Sequence, residues 1–193
     1  MVQRVFVDSN VLASKTLRDW LFLLRHDTQG MFQTHSSFDV LIEAARVWRK
    51  RKPRARSSKG LHFYESIRAN LDDYLEDFSE EEDFNGQDVH DYHVHAAAVA
   101  SNAHILLTSN GRDFGNPDDL PYEIYKPDEF FCLIEQSASH SVRRVTMQQT
   151  KYWSKRKESG EPVKTLNVAL RDASCPAFAE IVSSHLKALS EAS

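Results

Sequence analysis

Hydrophobic positions along the first part of this chain switch between two periods. Val5-Phe6-Val7 is a β-branched and aromatic run and predicts a strand over residues 4–8. Leu17, Trp20, Leu21 and Leu24 then fall at helical spacing and predict a helix over 16–26. Ser36 and Ser37 precede Phe38, Leu41, Ile42, Ala45 and Trp48, the signature of a capped amphipathic helix over 38–48. Phe63, Tyr64, Ile67, Leu71, Tyr74 and Leu75 predict a third helix over 61–75, and the alanine-rich segment 89–101 a fourth. His104-Ile105-Leu106-Leu107-Thr108 is too short for a helix and reads as a buried strand. Residues 122–125 form another short strand, and Pro127 opens a helix to about residue 135, because proline suits a first helical position.

After Gln136 the strand signal stops. Residues 139–157, 162–171 and 176–189 read as three helices, separated by Gly160 and by residues 172–175. Strands alternating with helices over 1–135 imply a parallel α/β sheet. Residues 136–193 imply an all-helical annex, so the expected organisation is an α/β domain over 1–135 and a helical extension over 136–193.

Composition narrows the function only in part. Of 193 residues, 41% are hydrophobic and 27% charged, which excludes wholesale disorder. The net charge of -4 gives no global reason to bind nucleic acid, so such binding needs a local basic patch. Two candidates exist. Residues 46–59 carry eight basic side chains and no acid, and 143–164 carry seven opposed only by Glu158 and Glu161. Between them, 72–91 holds ten acids and no Lys or Arg. Solvated helix faces and loops account for such runs; for the basic ones the other reading is phosphate contact, with Tyr152 and Trp153 as stacking surfaces beside Lys151, Lys155 and Arg156. Cys132 and Cys175 form no C-x-x-C pair, which argues against a disulfide scaffold or a cysteine zinc site and fits a reducing compartment. The N-terminus reads as a strand rather than a signal peptide, and no stretch approaches the ~20 apolar residues of a membrane span. A cytoplasmic protein with no membrane partner is the expectation.

Four carboxylates carry the candidate chemistry. Asp8 ends the first strand, and Asp113 follows the strand at 104–108 by five residues. Ligands of open parallel sheets bind beyond the carboxyl ends of the strands, so both are candidates for one site. Asp91 starts the stripe Val94, His95, Ala98 of the alanine-rich helix and points inward; a helix N-terminus favours a carboxylate by roughly 0.3–1 kcal/mol. Glu43 sits at the flank of its helix's apolar stripe. Taken singly, each has a structural explanation as a cap, an N-terminal charge or a surface residue. Gathered, they would repel, at about 4 kcal/mol for two unit charges 4 Å apart at an effective dielectric near 20. A hard divalent cation relieves that repulsion, and Mg²⁺ or Mn²⁺ suits an all-oxygen site. Periodicity alone does not say whether the four converge.

The motifs themselves add a resemblance. Val5-Phe6-Val7-Asp8-Ser9-Asn10-Val11-Leu12 resembles the opening motif of PIN-domain ribonucleases. Asp91-Tyr92-His93-Val94-His95-Ala96-Ala97-Ala98, and the stretch from Ala103 through Thr108-Ser109-Asn110-Gly111-Arg112-Asp113-Phe114, resemble the second half of that family. Pro127-Asp128-Glu129-Phe130-Phe131 is similar to the helix start that often follows, and Leu17-Arg18-Asp19-Trp20-Leu21 to one subgroup. The likeness spans residues 3–135, and 143–189 is similar to a helical C-terminal extension in some VapC-type toxins. It implies a three-layer α/β/α fold and a Mg²⁺- or Mn²⁺-dependent endoribonuclease, the toxin of a toxin–antitoxin pair. RNA, a cognate antitoxin and a second copy of the chain would be its partners. It assigns catalysis to Asp8, Glu43, Asp91 and Asp113, with Asp8, Asp91 and Asp113 holding the cation. Asn10, Ser109, Asn110 and Arg18 would support them. Asn110 stands where many relatives carry a further Asp, so one metal ligand would be neutral here.

Other readings stay open at this level. Asp8 could be the nucleophile of an aspartyl-phosphate enzyme, although the second Asp or late lysine of such families is not visible. His90, His93 and His95 could suggest a transition metal, although no third ligand is identifiable for the His90/His93 pair. A module that binds RNA or a protein without cutting is the non-enzymatic alternative.

Overall fold

Five strands build one sheet: β1 (Gln3–Val7), β2 (Phe32–Ser37), β3 (Asp73–Leu75), β4 (Ile105–Leu107) and β5 (Glu123–Tyr125). All neighbours are parallel, in the order β3-β2-β1-β4-β5. The computed structural model describes residues 2–79, 83–86, 88–160 and 164–191. Its helices are α1 (Ser9–Ala13), α2 (Lys15–Asp27), α3 (Phe38–Arg51), α4 (Ser57–Arg68), α5 (Tyr92–Ala100), α6 (Pro127–Glu158), α7 (Leu166–Asp172) and α8 (Pro176–Glu191). A parallel sheet flanked by helices, followed by a long helical region, is an α/β architecture and fits the expected three-layer α/β/α fold. No described helix is long and apolar enough to cross a membrane.

The chain divides into two units, residues 1–15 with 30–126, and residues 16–29 with 127–193. The first holds the whole sheet. Val5, Phe6 and Val7 of β1 and Leu106 and Leu107 of β4 have no exposed surface, as expected of central parallel strands covered on both faces. From β1 the chain steps outward through β2 to β3, then returns to the other side of β1 for β4 and β5. The carboxyl ends of β1 and β4 therefore flank the point where the winding reverses, the place where open α/β sheets bind ligands.

The sequence of β2, Phe-Gln-Thr-His-Ser-Ser, gives no strand signal, yet Thr34, His35, Ser36 and Ser37 are all buried. Thr34, Ser36 and Ser37 find partners for their polar groups, while the buried His35 Nδ1 makes no hydrogen bond among the described residues. The Thr34 N–H donates to Asp72 Oδ2 (2.9 Å), Ser36 Oγ donates to the Val7 carbonyl (3.0 Å), and Ser37 Oγ caps α3 by accepting from the Val40 N–H. The helix expected over 61–75 ends at Arg68. Asp72 ties the chain to β2 through its backbone N–H and its carboxylate, and residues 73–75 become β3. Tyr74, read as part of the helical stripe, meets Tyr64 hydroxyl to hydroxyl at 2.6 Å.

In the second unit the α2 stripe Leu17, Trp20, Leu21 and Leu24 is buried. Trp20 meets Phe178 of α8 edge-on at 5.0 Å, and Phe178 lies 5.1 Å from Phe131 of α6. The Asp128 carboxylate accepts the Ala177 and Phe178 N–H groups at 3.2 and 2.8 Å, satisfying donors that open α8. The break expected between two helices near 136–139 is there: Ala138 has non-helical dihedrals (φ -146°, ψ 50°), and two helices meet at this kink within α6. Residues 162 and 163, at the expected start of the next helix, lie outside the described residues. Thr165 caps α7 through the Val168 N–H.

Candidate active site

β1 delivers Asp8 to the switch point. Asp8 is the N-cap of α1 and only 4% exposed. Its Oδ1 accepts the Ser9 N–H, and its Oδ2 accepts from Thr108 Oγ1 (2.6 Å) and Asn10 Nδ2 (2.5 Å). Thr108, directly after β4, is fully buried; its Oγ1 also accepts from Asn10 Nδ2 (3.0 Å) and from the Asn110 N–H (3.1 Å). Asn10 Oδ1 accepts the Ser109 N–H (3.1 Å). One hydrogen-bonded ring thus locks the ends of β1 and β4 together around a carboxylate. Burial pushes the Asp8 carboxyl above its ordinary range, Thr108 and Ser9 pull it back, and the Glu43 charge adds to the rise.

Asp91 stands at the junction of a 3-10 turn (Val89–Asp91) and α5. Its carboxyl is pushed up to about 6 by desolvation first, then by the charges of Asp8, Asp88 and Asp113. Asp91 therefore senses both strand-end acids named from the sequence, and a further one, Asp88, that was hidden in the acidic run 72–91. Asp88 caps the 3-10 turn by accepting the His90 N–H (2.9 Å). Asp113 lies in a second 3-10 turn, Gly111–Phe114. A Cβ on Gly111 would come within 2.7 Å of Ile124 Cγ2 on β5, and one on Gly86 within 2.6 Å of the Asp113 carbonyl oxygen. Close backbone approach on both sides fixes this turn.

Glu43 on α3 faces His93 on α5. His93 Nε2 lies 3.6 Å from Glu43 Oε2, an ion-pair separation longer than a hydrogen bond, and this buried nitrogen makes no hydrogen bond among the described residues. The His93 Nδ1–H donates to the His90 carbonyl (2.8 Å). The pair shifts both groups toward charge: Glu43 is held below its ordinary range chiefly by His93, and His93 above its own chiefly by Glu43. His95 turns elsewhere, bonding the Tyr122 hydroxyl at 2.7 Å.

The structure thus brings Asp8, Asn10, Ser109 and Asn110 into one network, links Asp91 to Asp8 and Asp113 through charge, and sets Glu43 beside His93. Arg18 lies on α2, in the second unit. Thr108 and Asp88 are the members that sequence reasoning missed. Thr108 closes a strand read only for its apolar residues, and Asp88 stands three residues before Asp91, a spacing that marks one face of a helical turn. Among the described residues no group of three His, Cys, Asp or Glu side chains is arranged to hold a metal ion. Comparison with protein-family models, with curated proteins and with solved structures finds no match to this chain.

Proposed function

We propose that this chain is a divalent-cation-dependent endoribonuclease of the PIN-domain kind, acting as the toxin of a toxin–antitoxin pair. The observation that carries this reading is the Asp91 carboxyl, pushed up to about 6 by burial first and then by the charges of Asp8, Asp88 and Asp113, beside a parallel sheet's switch point. Such mutual repulsion is a cost to the fold unless a cation offsets it. The donors are all oxygens, which fits Mg²⁺ or Mn²⁺ rather than a softer metal. Asp8, Asp91 and Asp113 would hold the ion. Bound there, it supplies polarisation of a phosphate oxygen and acidification of a water molecule.

The protein's own part is orientation and charge. Thr108 and Asn10 fix Asp8 Oδ2 in one direction. Glu43 and His93 each favour the other's charged form, so His93 offsets part of the charge that Glu43 brings to the edge of the site. The reaction is hydrolysis: water adds to phosphorus, the bond to the 3′-oxygen breaks, and that oxygen takes up a proton. Beyond Glu43, α3 carries Arg46, Arg49, Lys50 and Arg51 toward its C-terminus, and the Trp48 ring lies near Phe63 (5.5 Å) and the cations of Arg49 (5.3 Å) and Lys52 (5.5 Å). This basic end of α3 suits the phosphates of the substrate strand. The antitoxin and a second copy as partners rest on the sequence resemblance alone.

The alternative, a module that binds RNA without cutting it, is favoured by one observation: among the described residues no three acids are gathered to grip an ion. Titrating Mg²⁺ and Mn²⁺ into a panel of structured RNAs separates the two. Cleavage that requires the cation and falls by ~10²-fold or more in Asp8→Asn is the expected result. RNA bound but intact at every cation concentration is the result that ends the nuclease reading.

A further inference from the structure

The second unit holds a cavity of about 230 Å³ where the end of α6 meets α7 and α8. Thr150, Trp153, Ser154 and Lys157 line it from α6, at the i, i+3, i+4, i+7 positions of a single helix face. Upstream on the same helix, Val142, Val145, Thr146 and Gln149 are buried. Here the face opens instead, and Leu166 and Leu186 supply an apolar floor. The volume is below the ~300–1,000 Å³ of sites for drug-sized ligands, so it suits one flat ring system rather than an extended molecule.

Its wall is aromatic and its rim cationic. Trp153 Nε1–H donates to Gln149 Oε1 at 2.9 Å, which sets the indole plane. The Arg156 guanidinium lies 5.2 Å from the Trp153 ring centre and 5.7 Å from that of Tyr152. Lys157 and Lys164 lie at the mouth, with Lys164 paired to Asp172. Lys151, Lys155 and Arg156 share this helix end, where Glu158 is the sole acid from residue 151 to 160. A hydrophobic slot with an aromatic wall and ammonium groups at its rim matches a ligand with a flat face and an adjacent negative charge.

We infer that this cavity binds one nucleotide unit of a single-stranded nucleic acid, the base against Trp153 and the flanking phosphate at Lys157. Base–aromatic stacking and backbone cations are the two components of single-strand recognition, and both are present here within two helical turns. The inference uses none of the acid-site residues and stands whether or not that site cuts RNA.

The test is fluorescence anisotropy of labelled hexauridylate with the full chain in EDTA, which removes divalent cations and so stops metal-dependent cleavage. Trp153→Ala is expected to weaken binding roughly tenfold, the scale of one lost stack, while Trp153→Tyr keeps most of it. Lys157→Gln is expected to flatten the slope of log K against log salt by about 0.7, one phosphate contact on a single strand. Ser154→Glu changes an exposed helix position, leaves the core alone and sets a negative charge at the mouth, so it too should weaken binding. An abasic hexamer of equal charge should bind the wild type no better than it binds Trp153→Ala. Hexathymidylate tells RNA from DNA as the source of the unit, and preference for either supports the cavity. Wild-type affinity in both Trp153→Ala and Ser154→Glu, or equal binding of the abasic strand and hexauridylate, overturns the inference. Failure of the nuclease reading would instead appear as intact RNA in the cation titration, with these affinities unchanged.

Discussion

Thr108 joins the two strand ends through one hydroxyl, which donates to Asp8 and accepts from Asn10 and Asn110. Thr108→Val keeps the shape and removes all three bonds. It is expected to cost roughly 1–3 kcal/mol in denaturant unfolding, because Asn10 and the Asn110 N–H lose a part-buried acceptor, and to lower cleavage by freeing Asp8. Asp91 behaves in the opposite sense. Its folded value of about 6 lies above the ordinary 3.8, so the native state binds more protons between these values and stability falls as pH rises through that window. Asp91→Asn removes the penalty. The full shift corresponds to about 3 kcal/mol, but the side chain keeps partial solvent contact that screens it, so a gain of about 1 kcal/mol at pH 7 is expected. The gain should disappear below about pH 4, and thermal melts across pH measure it. A variant that is inactive yet more stable than wild type is the combined signature of a site held together against its own charge.

At the scale of elements, α2 and α6 are tied by Arg144, whose Nε lies 3.1 Å from both oxygens of Asp27 and whose Nη2 lies 2.6 Å from Oδ1. The Arg144 guanidinium holds the Asp27 carboxyl below its ordinary range. The pair's contribution is therefore present above the unfolded value near 4 and is lost as pH falls through the lower folded value. Asp27→Asn should unfold at a lower temperature than wild type at pH 7, and the two melting curves should converge in strong acid. A difference independent of pH would assign the effect to packing instead of charge. Elements also show where pattern reading stops. β2 is polar in sequence and buried in fact, because Asp72, the Val7 carbonyl and the start of α3 take up its polar groups. The Ser37 cap was legible in the chain, but Asp72 and Val7 lie 38 and 29 residues from the groups they bond.

For the whole molecule, the consequence concerns which helices belong together. The stripe of α2 was legible as an apolar face, but a face does not name its partner. Trp20 meets Phe178, more than 150 residues later in the chain, and α2 groups with the C-terminal helices and not with the sheet unit that precedes and follows it in sequence. A chain ending at Lys126 would keep every strand but leave Trp20 without Phe178 and Asp27 without Arg144. Such a fragment is expected to bind hydrophobic dyes and to lose a sharp thermal transition. Cooperative melting at the full-length temperature would show that the sheet unit and α2 need nothing from beyond residue 126.

The sequence by itself determined the central strands, the helical face of α2 and the acids at strand ends. Hydrophobic period and residue type are local properties, and continuous apolar runs report burial on both sides. It also carried the motifs from Val5 to Leu12 and from Asp91 to Phe114 on which the nuclease reading rests. Only the tertiary structure decided that Thr108 and Asn10 clasp Asp8, that Asp88 joins Asp91, that Glu43 finds His93, and that Trp153 lines a cavity. The Thr108–Asp8 and Glu43–His93 contacts and the cavity beside Leu186 depend on groups far apart in the chain meeting in space. Hydrogen bonds and charge act over a few ångströms of distance and take no account of separation along the sequence.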